Sequence, residues 1–281
     1  MIDQLLAPFQ LDFMQRAFLA AIVVGGLCST LGTYVVLRKL SFIGDGLAHA
    51  SFAGIVIAYL RGGSFWVGAT IATVVTALGI GFVHRRAKVS LDTAIGVLFT
   101  GAFALGIFLM SRSTRATIDL QSFLFGNILG VSRDDLLVVL GLGLVIALIV
   151  GWLWRPLLYT SFDPVVAQAA GLKERFVDDA LLVVLALTII VSLQLVGIIL
   201  VAALLVTPAA AAAQLTRRFV PMMLLSAGFG IFAAVGGLYA SYQLQASSGA
   251  TIVLLATLIF FAALGVKALR TLATRRPQPA P

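Results

Sequence analysis

Runs of about 20 apolar residues recur along the whole chain, separated by short polar breaks, and they constrain its fold more than any other feature. Each run matches the length a helix needs to cross roughly 30 Å of hydrocarbon. Only 11% of the residues are charged, against roughly a quarter in a soluble domain. So little charge cannot cover a water-soluble globule, and lipid must surround most of the chain. In lipid, only helices and closed barrels satisfy every backbone group. The runs are too long and too unalternating for barrel strands. The sequence therefore predicts an all-α, polytopic helical integral membrane protein, with residues 1–281 forming a single transmembrane domain.

The runs place spans at 17–37, 43–60, 64–83, 93–111, 135–154, 179–198, 199–215, 220–240 and 249–270. The stretch 179–215 is unbroken and too long for one ordinary span. It is either two helices or one helix with a re-entrant element, so eight or nine transmembrane helices are expected. Basic residues orient the spans, because cytoplasmic loops are enriched in Lys and Arg. With Arg38 and Lys39 inside, the loops carrying Arg85, Arg86, Lys88, Arg155, Lys173, Arg175, Arg217 and Arg218 also fall inside. Only Arg16, Arg61, Arg112, Arg115 and Arg133 then lie outside. The C-terminal tail, 271–281, is expected in the cytoplasm. The side of the N-terminus depends on the span count.

Two connections carry structure of their own. Residues 112–134 form an external segment whose middle, Leu120 to Asn127, mixes apolar and polar residues and reads as an interfacial helix. Residues 155–178 form the longest internal connection. Within it, Asp163 and Pro164 read as a cap followed by a first helical position, and Gly171 as the stop. Gln168 lies on the short helix between them. The helix is either a docking element or a plain linker.

The net charge of +8 is scattered in short clusters between spans, a topology signal and not a nucleic-acid footprint. Cys28 is the only cysteine, which excludes an intrachain disulfide and a thiolate metal cluster. The N-terminus lacks the basic region and cleavage site of a secretory signal.

Among the acids, Asp45 stands out because it opens an apolar run together with His49. Residues at i and i+4 share a helix face, so carboxylate and imidazole can converge. A carboxylate within a bilayer helix costs about 2.5–3.5 kcal/mol on insertion scales and usually faces a cavity or pathway. Oxygen plus imidazole nitrogen suits Zn, Mn or Fe(II) better than Mg or Ca. Alternatively, Asp45 caps the helix and His49 is its satisfied polar neighbour. Two ligands are too few for a tight site, so a second copy or other residues would have to complete it.

His84, beside Arg85 and Arg86, reads as a solvated loop residue. Gly46, Ala50 and Gly54 make a small-residue stripe suited to close helix contact. Gly25, Gly26, Gly228, Gly230, Gly236 and Gly237 read as packing positions. Thr207-Pro208 is either a gating break or a tolerated kink. No phosphate-binding loop is present, and no catalytic set appears within the spans. Any ATPase must therefore be another chain.

Taken together, four stretches resemble the permease family of ABC importers for zinc, manganese or iron, over nearly the whole chain. They are Leu40 to Ala50 with its Gly-Asp and following His, Leu124 to Gly130, Phe162 to Gly171, and Val196 to Ala210 with its Pro-Ala-Ala. Gly46 stands where family members carry alanine or another small residue.

The resemblance implies a homodimer with two cytoplasmic ATPase subunits and an external metal-binding protein, in a bacterial plasma membrane. It also implies that Asp45 and His49 line the path of a divalent metal ion, with no cofactor bound by the chain. The coupling helix to the ATPase would be the one carrying Asp163, Pro164, Gln168 and Gly171. Competing classes are a secondary metal/proton transporter using the same pair, and an ABC permease for a metal chelate such as a siderophore. The ligand set does not choose among zinc, manganese and iron.

Overall fold

A computed structural model describes residues 8–112, 126, 128–162 and 164–274. In order these form α1 (Asp12–Leu37), α2 (Ile43–Leu60), α3 (Phe65–Ala87), α4 (Leu91–Ser111), a 3₁₀ turn (Ile128–Gly130), α5 (Arg133–Trp152), α6 (Trp154–Phe162), α7 (Pro164–Ala169), α8 (Glu174–Leu215), α9 (Phe219–Leu244) and α10 (Ser248–Thr274). Among the described residues, nine helical segments are long and apolar enough to cross a membrane, with α8 contributing two of them.

Local chemistry explains where helices start. Ser132 and Asp135 form a reciprocal capping box at the head of α5, and the Ser90 hydroxyl accepts from the Thr93 amide at the head of α4. The observed ends extend most of the expected spans by a few residues. The connection from α5 to α6 is the single residue Leu153, and the sequence does not predict the α6 helix.

The helix α8 settles the ambiguous stretch. Its only non-helical residue is Gly197, with φ 77° and ψ 170°, a region essentially restricted to glycine. Contacts with α1 show what this does. Before the break, Asp178 meets Arg38, and Ser192 lies 3.4 Å from Cys28. Beyond it, Leu204 meets Ser29, Ala209 lies against Gly32, and the Phe219 ring packs at a tilt against Tyr34, with centroids 5.1 Å apart. Along α1 the first arm therefore runs antiparallel and the second parallel: the chain reverses at Gly197. Gly126 sits on this bend, where a Cβ would come within 2.3 Å of the Gly197 nitrogen.

Pro208 does not break the helix. It has no N–H for the Leu204 carbonyl, and the Ser29 hydroxyl donates to that carbonyl instead, at 3.1 Å. Thr207-Pro208 is thus a tolerated position and the break lies eleven residues upstream of Pro208, at Gly197.

Helices α1, α2 and both arms of α8 form the inner layer, while α3, α4, α5 and α10 expose most of their surface. Small residues bring the inner helices close. A Cβ at Gly32 would fall 1.9 Å from the Leu205 carbonyl oxygen, one at Gly54 2.0 Å from that of Gly68, and one at Gly25 2.8 Å from that of Gly230. The packing expectation holds for most of the glycines named above, but Gly228 faces open space. His84 corrects another expectation. It sits in the last turn of α3, half-buried, with Nδ1 2.7 Å from the Val89 carbonyl, and so ties down the following loop.

Most of the interfacial segment expected at 112–134 lies outside the described residues, as do Asp163 and residues 275–281 of the tail.

Candidate metal-passage site

Between Ile43 and Val56, every residue of α2 is buried except Asp45 and His49. The helix is enclosed by α3, α4 and α8, with Gly44 against Leu205 and Gly46 against Ile95. These glycines let neighbours approach so closely that the two polar side chains share the single open strip.

Asp45 lies in the first turn of α2, but Phe42 is the N-cap and no side chain caps the helix. The capping explanation for Asp45 therefore fails. Its carboxylate instead approaches the imidazole, with Oδ1 3.3 Å from His49 Nδ1. His49 Nδ1 is also 2.9 Å from the Asp45 carbonyl oxygen. A carbonyl only accepts, so Nδ1 carries the proton. In the neutral ring this leaves the lone pair on Nε2, the arrangement that protein metal ligands use when a backbone or carboxylate oxygen fixes the tautomer. Phe103 meets the ring edge-on at 5.2 Å and Phe99 lies at 6.0 Å, both from α4, so the imidazole is held by apolar walls. Among the described residues, no group of three or more His, Cys, Asp or Glu side chains is placed to hold an ion. One chain offers a carboxylate and an imidazole, an incomplete shell.

The short helix α7 sits apart from this pair. Its C-terminus closes with a bond from Leu172 N–H to the Ala167 carbonyl at 3.0 Å and one from Gly171 N–H to the Gln168 carbonyl at 2.9 Å. Gly171 adopts φ 81°, so it is the left-handed stop that the sequence predicts. Gln168 donates from its amide to Glu174 at the head of α8. Ala167 is buried, whereas Val165 is 76% exposed, an unusual position for a valine outside the spans. An apolar cavity of about 410 Å³ opens beside it, lined by Tyr159, Phe162, Ala170 and Phe219 among others.

Sequence reasoning missed a set of ion pairs at this end of the bundle. Arg38, which ends α1, donates to Asp178, to Thr160 Oγ1 at 2.5 Å and to Ser161 Oγ at 2.9 Å. Arg85, near the end of α3, grips Asp179 with both terminal nitrogens, at 2.8 and 3.2 Å. Gly81 leaves room for that pair, since a Cβ there would press within 2.8 Å of the Asp179 carboxylate. The available signal was the Asp178-Asp179 doublet, two acids in tandem at the mouth of an apolar run.

The arrangement finds close counterparts in known proteins. The ABC 3 transport family (ABC-3) matches residues 10–267. The chain is 46% identical over 258 residues to the manganese transport system membrane protein MntC of Halalkalibacterium halodurans, covering 92% of this chain and 87% of that one. It is 37% identical over 270 residues to a protein of Haemophilus influenzae named "Probable iron transport system membrane protein", covering 96% and 99% of the two. Among solved structures, PsaBC from Streptococcus pneumoniae in complex with Fab superposes with a TM-score of 0.82 at 35% identity, over 94% of this chain and 95% of that one. The chain belongs to the ABC 3 transport family of membrane permeases.

Proposed function

We propose that the chain is the membrane-spanning permease subunit of an ATP-driven importer for a divalent transition metal ion. The observation that carries this reading is the Asp45–His49 strip, the only break in the burial of α2 between Ile43 and Val56, with the His49 Nδ1 proton directed at the Asp45 carbonyl and the Nε2 lone pair left to ligate. Relatives named for manganese and iron transport favour those two ions over zinc as cargo.

In this reading the ion is held briefly by Asp45 and His49 and moves on as the site reorients. Weak, incomplete ligation suits passage, because a closed four-ligand site would retain the ion. A homodimer would bring two carboxylates and two imidazoles to a common axis, which fits the shortage of ligands within one chain. ATP hydrolysis would occur on separate ATPase chains docked at the segment 155–178. There α7 would act as the coupling helix, with Asp163, Pro164, Gln168 and Gly171 shaping it. An external solute-binding protein would deliver the ion. The distribution of basic residues supports a bacterial plasma membrane location with the C-terminus in the cytoplasm.

The test is metal accumulation, by elemental analysis, in metal-starved cells carrying the complete transporter. At matched membrane levels, one metal should accumulate with the wild type and fall with both Asp45→Asn and His49→Ala. Unchanged accumulation in both variants removes the pair from the path.

A further inference from the structure

We propose that the basic end of α3 is a binding site for the headgroup of an anionic phospholipid. Arg85, Arg86 and Arg175 surround a cavity of about 420 Å³ whose remaining wall is Phe82.

Charge sets the preference. Arg85 is engaged by Asp179, which fixes its guanidinium at the cavity. Arg86 and Arg175 are exposed, and neither pairs with an acid among the described residues. Of the other acids nearby, Asp178 is paired with Arg38, whereas Glu174 is bonded only by the neutral Gln168 amide and keeps its charge. Three guanidinium groups against the two carboxylates of Asp179 and Glu174 still leave an excess of positive charge with fork-shaped donors, which suits a phosphate. A zwitterionic headgroup brings its own cation into that field and is disfavoured.

Position identifies the phosphate as that of a lipid. Val67, Ile71, Val75, Leu78 and Phe82 are exposed at steps of three and four residues along α3, while Ala69, Thr73, Ala77 and Ile80 on the other side are buried. Such a stripe runs the length of the helix and faces acyl chains. It ends at the residue that walls the arginine cavity, so the acyl surface and the cationic site are continuous. Phe176, 60% exposed next to Arg175, extends the apolar border. An acidic protein partner would use the arginines but would have no need of the stripe. Basic pockets between spanning helices at headgroup depth are a recognised way of holding anionic lipids.

The test uses the purified complete transporter in mixed phosphatidylethanolamine and phosphatidylglycerol, with retained lipid counted by native mass spectrometry. An Arg86→Gln, Arg175→Gln double variant should bind phosphatidylglycerol roughly 20- to 30-fold more weakly, from the loss of two cations near the membrane surface. Phosphatidylethanolamine retention should not change, and Arg155→Gln, at the same end of the bundle, should behave as wild type. An Arg86→Lys, Arg175→Lys variant should keep most of the affinity, which separates charge from folding. Wild-type phosphatidylglycerol binding in the double Gln variant overturns the proposal. So does displacement of phosphatidylglycerol by excess inorganic phosphate, which would indicate a free-anion site. Loss of co-purifying subunits with lipid retention intact would assign the arginines to a protein interface instead. These readouts are independent of metal uptake, so the lipid site and the transport reading stand or fall separately.

Discussion

Arg38 and Asp178, 140 residues apart in sequence, form an ion pair that joins the end of α1 to the head of α8. The same guanidinium holds Thr160 and Ser161 of α6. One side chain thus fastens three elements, one of which leads directly into α7. Arg38→Ala and Asp178→Ala should each destabilise the protein, and their double-mutant cycle should show a coupling of about 1–3 kcal/mol. Unfolding of the purified protein in detergent measures this. Additive single effects would mean that the pair contributes nothing of its own.

At the candidate site, Asp45 is half exposed and caps nothing, so Asp45→Asn should leave stability within about 0.5 kcal/mol of wild type. His49 keeps its bond to the Asp45 backbone carbonyl in that variant, so the ring stays oriented. Uptake should nonetheless fall by roughly tenfold or more, as expected when one of two ligands loses its charge. A variant with normal uptake and normal stability would leave the carboxylate without a role.

Ser29 and Pro208 should prove non-additive. Ser29→Ala leaves the Leu204 carbonyl without a donor, because Pro208 cannot supply one, at a cost of about 1–3 kcal/mol. In a Pro208→Ala background the helix regains its own N–H at that place, and Ser29→Ala should cost less than about 1 kcal/mol. Equal costs in both backgrounds would show that the serine serves some other contact.

Two glycines provide a matched comparison. Gly32→Ala drives a methyl group to 1.9 Å from the Leu205 carbonyl oxygen, whereas Gly96 has nothing within 4 Å of its added Cβ. Gly32→Ala should cost about 3 kcal/mol or more, or abolish expression, while Gly96→Ala should be neutral or slightly stabilising. Comparable melting temperatures for the two variants would contradict the close approach of α1 and α8.

How much of this was legible in the sequence depends on the range of the interaction. The spans were legible because transfer into hydrocarbon is a local, additive property of about 20 consecutive residues. Asp45 and His49 were legible because a helix places i and i+4 together without help from the rest of the fold. The stop at Gly171 followed from the same kind of local rule. By contrast, Arg38–Asp178 and Arg85–Asp179 depend on which helix ends become neighbours, and no pattern along the chain encodes that. His84 was misread because its partner is a backbone carbonyl five residues on, which composition does not reveal. The reversal in α8 was hidden for a different reason. Gly197 is one small residue in an apolar run, and nothing beside it is polar enough to signal a turn.

That reversal bears on how the chain enters the membrane in the first place. The two arms of α8 meet at a single residue, with no polar loop between them whose charge could be read during insertion. Neither arm can be oriented by its own flank at the Gly197 end. The charges that can orient the two arms therefore sit only at their distant feet, so the arms take their orientation as one unit.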